Sequence, residues 1–257
     1  MTVIEKYSKY RFLFEELVSR DFKEKYKRTV LGMGWSVMSP LLNLLVMVLV
    51  FTKLLGRNTP HYTIYVFCGN LVMSYFREST RGGMRSLVAN RAIITKINVP
   101  KYMFLLSNNV SSLINFGLTL SVFFLLCIID HITFTWRFVL LIYPIICLTI
   151  FNIGVGLILS ACFVFFQDTG YLYEILLTLI NYLSAVFYRI DGFSATVQRL
   201  FLCNPLYCFI HYFRCIVINT SVPSLQFHLL CLFYAMLSLA IGAWFYKRYN
   251  HQFLYYL

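Results

Sequence analysis

Apolar residues fall in long blocks separated by short polar stretches, and the block lengths set the first reading. A helix needs about 20 apolar residues to cross a bilayer. The chain offers six such blocks, at about 34–55, 62–82, 103–129, 138–166, 171–187 and 227–246. The second starts near Tyr62 and its apolar character fades at Arg77, so its later turns are expected to line protein rather than lipid. The fourth is long enough to need a tilt or a kink, and Pro144 is the obvious place for a kink. Pro40 falls in the first two turns of the first block, where a proline is best tolerated. Gly56, Asn58, Pro60 and His61 predict a short turn, as do Asp130-His131 and the polar run Gln167-Asp168-Thr169-Gly170.

Two regions do not fit the block pattern. In residues 1–33, Tyr7, Tyr10, Phe12, Leu13, Phe14, Leu17 and Val18 recur at mixed three- and four-residue steps among charged residues. That spacing predicts an amphipathic helix lying at the membrane surface; a soluble helix packed on another domain is the alternative. Its acids (Glu5, Glu15, Glu16, Asp21, Glu24) and the lack of an early apolar core are not the pattern of a cleaved secretory signal. Residues 188–226 mix apolar pieces with Arg189, Asp191, Arg199 and Arg214 and the breakers Gly192, Pro205 and Pro223. The pieces 197–203 and 206–218 are too short to span and read as re-entrant or interfacial helices. The expected fold is therefore all-α and membrane-integral. It has an N-terminal interface helix over 1–33 and a transmembrane domain over 34–257, with six spans and an outward re-entrant helical pair before the last.

Composition sharpens this picture. The 257 residues are 60% hydrophobic with a mean hydropathy of +0.72 and only 12% charge. A soluble domain carries about 25% charge, so that class is excluded. The 22 Lys+Arg against 10 Asp+Glu leave +12. Nucleic acid is excluded as the reason, because so few charges on so apolar a chain form no continuous basic face. Sixteen bases fall in 1–33, 77–101 and 247–257, against six at Lys53, Arg57, Arg137, Arg189, Arg199 and Arg214. By the positive-inside rule both termini are expected in the cytoplasm, with 188–226 outward.

Little in the chain carries chemistry. It contains no GxxxxGK[ST] phosphate loop, so neither ATP hydrolysis nor any other enzyme activity is expected of it. The five histidines are scattered without metal-ligand spacing, and the eight cysteines form no CxxC pair. Most cysteines are expected to act as small apolar residues, with pairing among Cys203, Cys208 and Cys215 left open. No metal or cofactor is expected. Glu174, the acid clearly inside a span, is read either as functional or as snorkelling or salt-bridged to the basic loop. Aromatic residues make up 18% of the chain, more than two interfacial belts need. Rings such as Trp35, Tyr182, Phe187 and Tyr188 are read either as interfacial anchors or as a path along which a polymer slides. A flat ring face offers sugar C–H groups an apolar, polarisable surface.

The stretch Phe22-Lys23-Glu24-Lys25-Tyr26-Lys27-Arg28-Thr29-Val30-Leu31-Gly32-Met33-Gly34-Trp35, followed by Pro40-Leu41, resembles the opening of ABC-2 type permeases that export polysaccharides. These are the membrane subunits for O-antigen, capsule and teichoic acid (polyol phosphate) export. Further matches are Lys96-Ile97-Asn98-Val99-Pro100, Phe165-Phe166-Gln167-Asp168 and Asn204-Pro205-Leu206, so the likeness covers essentially the whole chain. Gln167 stands where the family usually has Arg, and Ser184-Ala185 where it often has Ser-Pro. The first departure weakens any salt bridge at that turn; the second removes the usual proline break before the re-entrant segment.

The resemblance implies a homodimer in membrane lipid, bound to two copies of a separate ATPase subunit that holds the ATP. It implies that the N-terminal helix and residues 77–101 dock on that ATPase, and that a polysaccharide or lipid-linked glycan passes between the two permeases. On this basis residues 85–97 are expected to form a cytoplasmic coupling helix with Arg85, Arg91 and Lys96 on its polar face, aided by Gln167 and Asp168. Bases that only set orientation and touch lipid head groups are the alternative. Competing functions are an ABC-2 exporter of drugs or lipids, and a membrane scaffold or enzyme without a transport role.

Overall fold

A computed structural model describes residues 3–26, 32, 34–50, 60–97 and 99–256. Among these there is no strand. The helices are α1 (Val3–Tyr26), α2 (Gly34–Val48), α3 (Tyr62–Ala89), α4 (Arg91–Ile94), α5 (Tyr102–Ile129), α6 (Ile142–Phe165), α7 (Thr169–Leu183), α8 (Ala195–Phe201), α9 (Pro205–Val217), α10 (Leu225–Tyr249) and α11 (Phe253–Tyr256), with a 3-10 turn at Trp136–Leu141. Parts of the expected opening motif (27–31 and Met33), Asn98, Gly56, Asn58, Lys53 and Arg57 lie outside the described residues.

Three helices among the described residues are long and apolar enough to cross a membrane: α5, the 3-10 turn with α6, and α10; the bent pair α8–α9 raises the count to four if taken as one span. The chain is an integral membrane protein. α7 has 15 residues, fewer than the roughly 20 an upright crossing needs; α2 has 15, with two π-helical residues after it before the described stretch ends at 50. α3 has 28 residues but carries Arg77, Glu78, Arg81 and Arg85 in its second half.

Between helices in lipid there is no hydrophobic drive, so close backbone packing must supply the attraction. The α6–α10 seam does this with two glycines. A Cβ placed on Gly154 would lie 2.3 Å from the Ser238 carbonyl carbon, and one on Gly242 would lie 2.3 Å from the Gly154 carbonyl oxygen. α3 runs centrally against α5 and α6, and its Gly83 faces Gly156 across the crossing.

A separate apolar cluster gathers one end of the bundle: Leu17 of α1, Leu87, Ile94, Phe104, Leu105, Leu157, Ala161, Val164, Tyr246 and Phe253. Polar ties fix α1 there. Arg20 donates to Asn90 Oδ1 at 2.7 Å, and Ser107 donates to Asp21 Oδ2 at 3.0 Å.

Three boundaries differ from expectation. Pro144 is the third residue of α6, just after the 3-10 turn, so it starts a helix and does not kink one. α7 stops at Leu183, short of 187, and Ala185 takes a left-handed φ of 50°. Residues 85–97 are not one helix: α3 ends at Ala89, Asn90 turns the chain, and the single turn α4 follows.

Candidate functional site

α3 presents Asn70, Met73, Ser74 and Arg77 at three- and four-residue steps, which places them on one face. That face borders a cleft of about 550 Å³. Trp35, Ser39, Pro40 and Asn43 of α2 close one side, Asn115 and Thr119 of α5 another, and Asn181 of α7 with Phe187 a third. The lining alternates amide and hydroxyl groups with the rings of Trp35, Phe67 and Phe187, a surface suited to a hydroxyl-rich solute with apolar ring faces.

Charges are concentrated at the end of the cleft nearest α1. Glu78 accepts two contacts from Asn115 Nδ2, at 2.8 and 3.1 Å, and pairs with Lys25 at 2.7 Å. One turn further along α3, Arg81 pairs with Glu174 of α7. Glu174 is therefore salt-bridged to the basic segment, the second of the two sequence readings. Arg77, immediately before Glu78 in sequence, lines the cleft, and its Nε is buried without a hydrogen-bond partner.

At the opposite end, the unwound segment after α7 is held entirely by side chains. The carbonyls of Ala185 and Val186 accept from Arg214 at 2.9 and 2.8 Å, that of Phe187 from Tyr62 at 3.0 Å, and that of Tyr188 from Tyr65 at 2.7 Å. Irregular backbone at membrane depth is tolerated only where protein satisfies it, and here four successive carbonyls find donors. Arg214 is 5% exposed and stacks on Tyr65, its Cζ 3.5 Å from the ring centroid. Gly69 makes room for it: an added Cβ would meet Val186 Cγ1 at 2.9 Å and Arg214 Nη2 at 3.2 Å.

The Asn204-Pro205 pair completes the arrangement. Asn204 Oδ1 accepts from Leu206 N at 3.0 Å, capping α9, while its Nδ2 donates to Ser184 Oγ at 3.0 Å and Leu183 O at 3.2 Å. α8 and α9 meet at 103°.

The residues singled out from sequence fall in three places. Trp35 and Phe187 line the cleft, and Phe187 is buried. Tyr182 stands exposed beside Phe187, ring centroids 6.4 Å apart. Tyr188 donates to Tyr182 O at 2.8 Å and packs against Phe193 and Phe201, away from the cleft. Arg85, Arg91, Lys96, Gln167 and Asp168 are all exposed. A Cβ added to Gly170, just after the 166–168 turn, would meet Phe163 Cε2 at 3.1 Å and the Met84 methyl of α3 at 3.9 Å. Cys203, Cys208 and Cys215 are free thiols.

Sequence reasoning passed over Arg77, the cleft amides and Arg214, which had been counted only as an outer charge. The available signal was Asn43, Asn70, Asn115 and Asn181 inside apolar blocks, where polar side chains are costly unless they face water or one another.

The described residues thus form a helical membrane protein with a polar, ring-flanked cleft among its helices. The chain belongs to the ABC-2 type transporter family, whose model matches residues 13–218. It is 28% identical over 219 residues to the O-antigen export system permease protein RfbA of Myxococcus xanthus, covering 84% of each chain. A Klebsiella pneumoniae protein of the same name is 28% identical over 216 residues, covering 82% of this chain and 83% of that one. The capsule polysaccharide export inner-membrane protein CtrC of Neisseria meningitidis serogroup A is 25% identical over 245 residues, covering 92% of both.

Proposed function

We propose that this chain is the membrane-spanning permease subunit of an ABC transporter that exports a cell-surface polysaccharide or polyol-phosphate polymer across the cytoplasmic membrane. A separate ATPase subunit supplies the energy. The observation that carries the reading is the near end-to-end match to O-antigen and capsule export permeases. The cleft, lined by amides, hydroxyls and rings, supports it with a surface fit for sugars.

In this reading the six spans are α2, α3, α5, α6, α7 and α10, with α8–α9 as the outward re-entrant pair and both termini cytoplasmic. The gathering of α1, α4 and the ends of α3, α6 and α10 at one end supports that orientation, because the basic segments share it. Two copies pair, and the polymer passes between them along the cleft lined by Trp35 and Phe187, with Tyr182 exposed beside Phe187; Tyr188, packed on Phe193 and Phe201, lies off that path. α1, Arg85, Arg91, Lys96 and the Gln167-Asp168 turn contact two ATPase subunits. Their exposure supports such docking.

Deleting the gene tests the reading. Surface polymer should vanish while polymer accumulates inside the cell, and the affinity-tagged permease should co-purify with an ATPase. Normal surface polymer in the deletion strain, with altered drug or lipid efflux, would favour the small-amphiphile exporter instead.

A further inference from the structure

The charges along the cleft face of α3 do not balance. Glu78 is answered by Lys25 and Asn115, and Arg81 by Glu174. Arg77 has no hydrogen-bond or ion-pair partner among the described residues, and its Nε is buried without an acceptor. It sits midway along a helix of the membrane domain, where an uncompensated guanidinium costs several kcal/mol unless water or an anion solvates it. That cation borders the 550 Å³ polar cleft, where an anionic group of a solute can reach it.

We propose that Arg77 forms an anion subsite of the cleft that takes a phosphate or diphosphate ester of the exported amphiphile. The guanidinium fork matches phosphate oxygens in bidentate fashion, which an ammonium does not. Asn181 of α7 and, two turns earlier on the same face of α3, Asn70 line the same cleft and offer amide donors to the rest of the ligand. Arg81 and Arg85 continue the row at four-residue steps, each about 6 Å further along the axis. Arg85 is exposed at the end shared with α1 and α4. The Arg81–Glu174 pair is about two-fifths exposed on both sides, so an incoming phosphate can displace the carboxylate at little cost. The row thus leads an anion from the basic end of the bundle to Arg77. This inference rests on reading the cleft as the substrate path. The phosphate belongs either to a carrier lipid or to the polymer backbone.

The test is equilibrium binding to the full-length permease, reconstituted with its ATPase in nanodiscs. The probes are a long-chain polyprenyl diphosphate, the matching polyprenol and an oligo(glycerol phosphate). The diphosphate should bind at least about tenfold more tightly than the polyprenol, the worth of one charge-assisted contact pair. Arg77→Gln should remove that preference without lowering the ligand-free melting temperature, since it deletes an unpartnered cation. Arg77→Lys keeps the charge, so binding weakened about threefold or more tests the fork geometry even if the Gln variant fails to assemble.

Competition by the polyprenyl diphosphate alone assigns the subsite to the carrier lipid, and competition by the oligo(glycerol phosphate) alone assigns it to the polymer; both uphold phosphate recognition. Equal binding of diphosphate and polyprenol, or unchanged affinity in Arg77→Gln, overturns the inference. Binding is scored without transport. A wild-type permease that binds diphosphate as expected but is not needed for polymer export therefore counts against the proposed function, and a wild-type permease that exports normally but binds diphosphate no better than polyprenol counts against the subsite alone.

Discussion

The α6–α10 seam and the α2/α7 flank are built on opposite principles. At the seam, backbones touch through Gly154 and Gly242, and Ser238 donates to Phe151 O at 3.4 Å. On the flank, Leu45, Leu172 and Ile175 point outward at 54%, 67% and 69% exposure. α7 and the segment after it are tied to α3 by a few polar contacts: Arg81–Glu174, the Tyr173 hydroxyl to Thr80, and Tyr62 and Tyr65 to the carbonyls of Phe187 and Tyr188. In lipid an apolar face gains nothing by leaving the acyl chains, so permanent contacts need small residues and exchangeable ones use polar groups. The seam is scaffold. The flank, which also walls the cleft, is the part whose contacts can be exchanged.

The strongest way to break this contrast is to crowd the seam. Gly154→Leu should cost roughly 3 kcal/mol through overpacking against backbone that cannot yield, read as a collapse of the melting temperature and of monodisperse protein in detergent. An equally large loss from Leu172→Ala on the flank would erase the distinction. The clamp comes next. Arg214→Lys should destabilise by about 2 kcal/mol, because one ammonium cannot serve the carbonyls of Ala185 and Val186 together and leaves a buried acceptor unmet. Wild-type stability in that variant would mean the segment holds itself. The smallest effect belongs to the exchangeable tie. A double-mutant cycle on Arg81→Gln and Glu174→Gln should return a coupling of about 0.5–1 kcal/mol, given the exposure of both side chains. A coupling of several kcal/mol would make α7 part of the scaffold.

How much of this was legible depends on whether a feature is local. α5 was expected at 103–129 and runs over Tyr102–Ile129, because a long block free of charge and proline between a Pro-containing turn and Asp130 leaves little choice. The end of α7 was not legible. Without the proline common in the family, Ser184-Ala185 gives no break signal, and the helix stops because residues distant in sequence, Tyr62, Tyr65 and Arg214, capture its continuing carbonyls. Asn204-Pro205-Leu206 was recognised as a motif, but its double task of capping α9 and holding Ser184 needed coordinates. The cleft was half legible. Trp35 and Phe187 were named for their rings, while Arg77 was counted only as one base among six in its segment, since pairing and lack of pairing are properties of three dimensions.

The central claim is that the cleft between α2, α3, α5 and α7 is where polymer passes. Ser74 lines it from α3 and donates only to its own helix, to Leu71 O at 3.0 Å, so a large side chain there fills space without removing a tertiary contact. The most direct measurement is surface polymer, quantified by antibody or lectin binding on intact cells, in a deletion strain complemented with Ser74→Trp. The account predicts near-complete loss of surface polymer and its accumulation inside the cell, with the variant present in the membrane and bound to its ATPase at wild-type levels. Normal surface polymer from a stably inserted Ser74→Trp permease would contradict it.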